Sequence, residues 1–291
     1  RRWRLIVEKL IKEKISSLLS DEEEVLSVEQ LGGMTNQNYL VKTTNKQYIV
    51  KFFGKGTEKL IHRQNEKYNL ELLEDLDLDV KNYLFDIESG IKVNEYIESA
   101  VTLDSTSIKS KFEKIAPILQ TIHASGKELR GEFAPFEEIS KYESLIEGPI
   151  PYENYEAVRK DVFSLEKRLA DLSVDRKSCH IDLVPENFIE SPQGRLYLID
   201  WEYSSMNDPM WDLAALFLES EFTKQEEDDF LSYYESDKTP VSREKIRIYK
   251  ILQDTIWSLW TVYKEAQGAD FGDYGVNRYQ RAVEGLTYYG G

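Results

Sequence analysis

The chain has one cysteine, Cys179, and three histidines scattered at positions 62, 123 and 180. A single thiol excludes an intramolecular disulfide and suits a reducing compartment. So few scattered nitrogen and sulfur donors also exclude a zinc cage. No apolar run approaches the roughly 18 residues needed to span a bilayer, so no membrane insertion is expected. Basic residues are outnumbered, 37 Lys and Arg against 53 Asp and Glu, for a net charge of −16. That balance argues against nucleic acid, whose phosphates call for cations. It permits a cationic small-molecule partner, although acidity also serves plain solubility. The sequence lacks an initiator Met, so a trimmed start is expected. Its opening "RRWRLIVEKLIKEKISSLL" is too charged for a signal peptide, and a cytoplasmic location is expected. The segment reads instead as an amphipathic helix, with Trp3, Ile6, Leu10 and Ile15 roughly on one side.

With 291 residues, 41% of them hydrophobic and 31% charged, the chain can bury one large core or two modest ones. No internal repeat or low-complexity linker interrupts it. Strands are expected at 25–31, 38–44 and 47–53, the last two flanking the short turn at Asn45-Lys46. A helix is expected from Glu58 to Glu74, then strands near 82–86 and 91–97. Beyond Leu103 the pattern is helical: one helix over 108–126 closed by Gly126, then 152–172, 208–221, 224–234, 243–266 and 277–288. Strand-like pieces interrupt at "CHIDL" with "NFIE", and at "RLYLID". This is an α+β plan, a small antiparallel sheet with one helix followed by a larger helical region. The border falls between Tyr96 and Asp104, giving segments 1–97 and 98–291.

The chemistry concentrates in "CHIDLVPENFI" and, thirteen residues after its asparagine, in "LIDWEYS". Asp182, Asn187 and Asp200 are three oxygen donors at the ends of short apolar strands. Singly they are ordinary loop caps, which Asp and Asn favour. Together they suit phosphoryl transfer. Mg²⁺ takes hard oxygen ligands from few side chains, and a separate carboxylate must receive the proton of the attacking hydroxyl. Asp200 and Asn187 can hold the metal, which leaves Asp182 as the catalytic base.

These segments resemble the catalytic and metal-binding stretches of the choline kinase and aminoglycoside phosphotransferase superfamily, relatives of the protein kinases. His180-Ile181-Asp182, Asn187 and Asp200-Trp201-Glu202 stand where the protein-kinase pattern has His-Arg-Asp, Asn and Asp-Phe-Gly. The last departure argues for a small-molecule acceptor. The resemblance implies a bilobal protein-kinase-like fold and an ATP- and Mg²⁺-dependent kinase. "QLGGMTNQNYLV" is similar to the nucleotide loop, with Gly32, Gly33 and Asn36 near the phosphates. Lys51, a cation inside the apolar strand "YIVKFF", is implied to contact the phosphates, with Glu66 as its partner in the next helix. "KVNEYIES" matches the hinge, where backbone groups near Glu95 and Ile97 would bond adenine. Glu202 is left open between metal ligand and acceptor lining. His123 is read as packing or capping.

For the acceptor, Trp257, Trp260 and Tyr263 recur at helical spacing and can offer one aromatic wall. A quaternary ammonium has no N–H to donate and is best held by electron-rich rings. The choline kinases look similar here, which implies choline as the substrate and adds Phe271 and Tyr274 to the wall. Asp208-Pro209 reads as an N-cap with proline at the first helical position. On that helix Asp212 matches an aspartate bracing the catalytic loop, and Glu219 stands where choline kinases keep a glutamate near the ammonium. Ethanolamine, an aminoglycoside, or an inactive kinase-like scaffold are the alternatives.

Overall fold

The computed structural model describes residues 2–32, 36–54, 57 and 60–290, with the side chains of residues 2–5 left aside. The described residues form two compact units. Unit 1 comprises Arg1–Leu103 with Glu186–Glu202, and unit 2 comprises Asp104–Pro185 with Tyr203–Gly291. The sequence alone set a single border after Ile97. The later border and the returning segment follow from pairing: β6 (Val101–Thr102) hydrogen-bonds to β8 (Phe188–Glu190), which pairs with β9 (Leu196–Leu198).

Unit 1 is built on a five-stranded antiparallel sheet of β1 (Val25–Leu31), β2 (Gln37–Thr43), β3 (Gln47–Phe52), β4 (Asn82–Asp86) and β5 (Ile91–Glu95), in the order β1-β2-β3-β5-β4. Strict alternation along the strands divides the faces. Tyr39, Val41, Tyr48, Val50, Ile91 and Val93 bury one face against Val7, Ile11 and Ile15 of α1 (Arg2–Ser16). The buried stripe of α1 therefore runs through 7, 11 and 15. The expected Ile6 is half exposed at 52% and Leu10 only partly buried, because the i, i+4 row sets which side meets the sheet. Lys51 and Lys92 point to the opposite face, directly across from each other in register. The following helix, α2, spans Arg63–Leu73. Of its expected start, positions 58 and 59 lie outside the described residues and Leu60 and Ile61 precede the helix.

Unit 2 is mostly helical: α3 (Phe112–His123), α4 (Pro135–Leu145), α5 (Tyr155–Asp171), α6 (Pro209–Glu219), α7 (Lys224–Tyr234), α8 (Arg243–Glu265) and α9 (Tyr274–Leu286). The expected 108–126 helix is broken into a 3-10 turn at Ser107–Ser110 and then α3. Asp104 takes the N–H groups of Thr106 and Ser107 and so favours a tight local turn. Periodicity did not disclose α4, whose first turn carries Pro135 and two glutamates. "CHIDL" and "NFIE" are not partners. β7 (Lys177–Cys179) pairs instead with β10 (Ser205–Asn207), a strand too short to show alternation. As expected, Asp208 caps α6 by accepting the Met210 N–H at 2.9 Å, with Pro209 as its first residue. No described helix is long and apolar enough to cross a membrane.

Candidate active site

In unit 1 the charged face of the sheet meets α2 and the strand end after β9. Lys51, 8% exposed, ion-pairs with Asp200 at 2.8 Å. Glu66, the partner expected for Lys51, is instead bonded by Arg63 at 2.7 Å and by Lys92 at 3.1 Å. The cause is register. Lys92 sits opposite Lys51 on the neighbouring strand, like charges so placed repel, and each needs its own carboxylate. Glu202 receives Arg63 at 2.9 Å and the Asn36 amide at 2.9 Å. Asn36 in turn accepts the Gly54 N–H and a second Arg63 nitrogen. Three cations thus meet three carboxylates: Lys51, Arg63 and Lys92 against Glu66, Asp200 and Glu202. Gly33 lies outside the described residues.

Burial alone would lower the Lys51 pKa, but the charges of Asp200 and Glu202 more than reverse it, so the ammonium is held firmly protonated. Burial lifts the Glu202 carboxyl above its usual range, and neighbouring Asp200 adds to the rise while Lys51 and Arg63 oppose it. Asp200 takes a left-handed backbone, φ 66°, and Trp201 beside it is buried, its indole N–H bonded to the Leu198 carbonyl at 2.8 Å. The Asn187 carbonyl accepts the Ile199 N–H at 2.8 Å. One hairpin end therefore carries both Asn187 and Asp200. Glu95 gives its N–H to the Lys81 carbonyl, and the Ile97 carbonyl accepts the Ala100 N–H.

Asp79, half-buried, accepts the Val80 N–H at 2.7 Å. Burial pushes its carboxyl up to about 7, against the pull of Lys92. The unfolded chain releases this proton near the ordinary value of 3.8. The stabilising effect of holding the proton is thus fully present below about pH 4 and is lost as pH rises through about 7. Asp79→Asn keeps the Val80 bond and removes the charge. It is expected to stabilise the chain by roughly 1–2 kcal/mol at pH 8, discounted for partial exposure, and not at pH 4. Thermal melts at both pH values check this; an equal shift at both would show that ionisation of the carboxyl does not set the stability.

In unit 2 the loop after β7 is held in a strained shape. Ile181, a β-branched residue, has φ 79°, a conformation that costs about 1–3 kcal/mol. The buried carboxylate of Asp212 offsets that cost by accepting the N–H groups of His180 and Ile181, both at 2.8 Å. Trp211 bonds the Ile181 carbonyl at 3.0 Å. His123 completes the bracing, with Nε2 3.0 Å from Asp212 and Nδ1 2.7 Å from the Tyr234 hydroxyl. Between buried Ile181 and Leu183, Asp182 stays partly exposed.

A row of rings runs through the same unit. Tyr203 meets Trp257 at 5.9 Å, Trp257 meets Trp260 at 6.4 Å, Trp260 meets Phe271 at 5.0 Å, and Phe271 meets Tyr274 at 6.5 Å. Trp257 and Trp260 are partly exposed, whereas Tyr263 is only 7% exposed and lies inside the unit. Burial lifts the Tyr274 phenol above its ordinary value. Arg278 opposes that rise, and the charges of Glu219 and Asp182 add to it. Glu219 is ion-paired with Arg278 at 2.5 Å.

Four residues of these clusters escaped the sequence reading: Arg63, Lys92, Tyr203 and Arg278. Lys92 carried the same signal that singled out Lys51, a cation between two apolar strand residues. Arg278 stands four residues after Tyr274, a spacing that pairs the two side chains only once α9 is known to begin at Tyr274.

Residues 28–249 match the family Choline/ethanolamine kinase. The chain is 29% identical over 262 residues to Protein LicA of Haemophilus influenzae, covering 86% of this chain and 98% of that protein. It superposes on the crystal structure of choline kinase LicA from Streptococcus pneumoniae with a TM-score of 0.93 and 87% identity, over 97% of this chain and 99% of that one. A LicA structure in complex with AMP matches with a TM-score of 0.90 and 88% identity, over 97% and 98% of the two chains. The antiparallel sheet unit, the helical unit and the matched family together identify a kinase-like fold, and the chain belongs to the choline/ethanolamine kinase family.

Proposed function

We propose that the chain transfers the γ-phosphate of ATP to the hydroxyl of choline, giving phosphocholine and ADP. The observation that carries this reading is the row of five rings, with Trp257 and Trp260 partly exposed. A methylated ammonium offers no N–H and gains most from ring faces, roughly 0.5–2 kcal/mol each. The solved relative of 87% identity is a choline kinase, and its choice of acceptor is carried over here.

In this reading Asp182 orients the choline hydroxyl and takes its proton as the oxygen–phosphorus bond forms and the bond to ADP breaks. Lys51 neutralises phosphate charge. The Glu95 carbonyl and the Ile97 N–H are the backbone groups an adenine edge would use. Asn187 and Asp200, hard oxygen donors on one hairpin end, fit a divalent cation of the Mg²⁺ type. The balance of three cations against three carboxylates supports the need for one, since the described cluster has no surplus positive charge for a triphosphate. Such an ion would screen phosphate charge. Glu202 fits less well as a ligand, because Arg63 and Asn36 already occupy one of its oxygens. Cys179 is a buried free thiol, in keeping with a cytoplasmic enzyme, and the acidic chain is read as having no nucleic-acid partner.

A coupled assay with choline, ethanolamine and kanamycin tests the reading. Choline is expected to give the highest kcat/KM. Preference for kanamycin would move the chain among the aminoglycoside enzymes, and absence of turnover with good nucleotide binding would make it a scaffold. Trp257→Ala removes the ring that touches both Tyr203 and Trp260. It is expected to raise the KM for choline about 10-fold and leave that for ATP unchanged. Equal effects on both would make the ring a core feature.

A further inference from the structure

The aromatic row ends at a buried charge, the Arg278 guanidinium, which lies 5.3 Å from the centroid of the Tyr274 ring. Arg278 on α9 is 4% exposed. Its Nη1 donates to the Glu219 carboxylate at 2.5 Å and to the Tyr274 hydroxyl at 2.7 Å. Its Nε lies 3.0 Å from Asp254 on α8. Asp254 is held in turn by Arg281 through two bonds of 2.7 Å. One guanidinium therefore joins three helices, and it fixes both the last ring of the row and the carboxylate at the end of α6. Two carboxylates and two guanidinium groups leave the cluster electrically neutral.

That neutrality bears on which cation the row accepts. An unpaired carboxylate beside the rings would take a charge-assisted hydrogen bond from any primary ammonium, a bond that a quaternary ammonium cannot form. With Arg278 upon it, Glu219 has its charge cancelled and one oxygen occupied. A primary ammonium entering the row must then compete with Arg278 for Glu219, whereas a methylated cation, which donates no hydrogen bond, gives up less on leaving water. Arg278 also holds the Tyr274 ring in place, through its hydroxyl and by lying over the ring, while the ring stays 39% exposed.

We infer that Arg278 is a positioning residue that sets acceptor selectivity: by neutralising Glu219 and anchoring Tyr274 it makes the row favour a quaternary over a primary ammonium. This rests on the reading of the row as the acceptor site. The two ideas separate experimentally, because wild-type turnover of choline tests the reading while binding of simple cations, which needs no turnover, tests Arg278.

The probes are tetramethylammonium and methylammonium, titrated against the full chain and followed by indole fluorescence. Arg278→Gln is expected to lower the preference for tetramethylammonium about 10-fold, and the double variant E219Q/R278Q to restore it to within about 2-fold. A merely structural role for Arg278 would weaken both probes alike and would not be rescued by Glu219→Gln. An unchanged ratio in R278Q, or a ratio that stays low in the double variant, overturns the inference. Should R278Q not fold, Glu219→Gln alone decides. It leaves Arg278 in excess and is expected to weaken both probes with their ratio within about 2-fold; a 10-fold change in that ratio would mean that Glu219 contacts the cation itself and Arg278 does not mask it.

Discussion

Asp182→Asn is expected to lower choline turnover by about 10²–10⁴-fold while leaving nucleotide affinity within about 2-fold. The amide keeps the shape and the polar contacts of the side chain but cannot accept a proton. Lys51, the proposed partner of the phosphates, and its partner Asp200 belong to unit 1, whereas Asp182 belongs to unit 2. Measurement of kcat in a coupled assay, with AMP or ATP binding followed in parallel, separates loss of chemistry from loss of binding. Turnover within 10-fold of the wild type would remove Asp182 from the role of base.

Asp212→Ala is expected to be nearly as damaging, by a different route. The side chain is fully buried, and it accepts from two backbone N–H groups and faces His123. Its removal leaves those donors without their acceptor and releases the strain at Ile181. Breaking such a buried charged arrangement costs roughly 3–5 kcal/mol, which for a chain of this size lowers Tm by about 10 °C. Because Ile181 precedes Asp182, its relaxation redirects the base as well, and kcat is expected to fall about 100-fold even where the protein remains folded. A variant that melts early but turns over normally at low temperature would show that the strained loop does not need Asp212 to hold its shape.

Much of this was legible in residues 179–202 because the chemistry there is local. The order and spacing of Asp182, Asn187 and Asp200 can be read along the chain, and so can a helix cap such as Asp208-Pro209. The strands of unit 1 were legible for a similar reason, since their apolar alternation buries a whole face. What the sequence did not reveal depends on register and on distant contacts. Lys51 chose Asp200 over Glu66 because Lys92 arrives opposite it from β5, forty-odd residues on. Ile11 and not Ile6 faces the sheet because the helix meets it along a row that periodicity alone leaves ambiguous. Tyr203 and Trp257 lie far apart in the chain, and Arg278 meets Glu219 only once α6 and α9 are packed. Short strands such as β10 carry too few residues for any pattern.

The paired lysines on neighbouring strands also restrict how this protein can change over time. Each lysine tolerates the other only while both acidic partners stay in place, so a descendant that lost Glu66 or Asp200 alone would carry an uncompensated repulsion in its sheet. Replacing a matched cation and anion together is the change that keeps the charge of the sheet in balance.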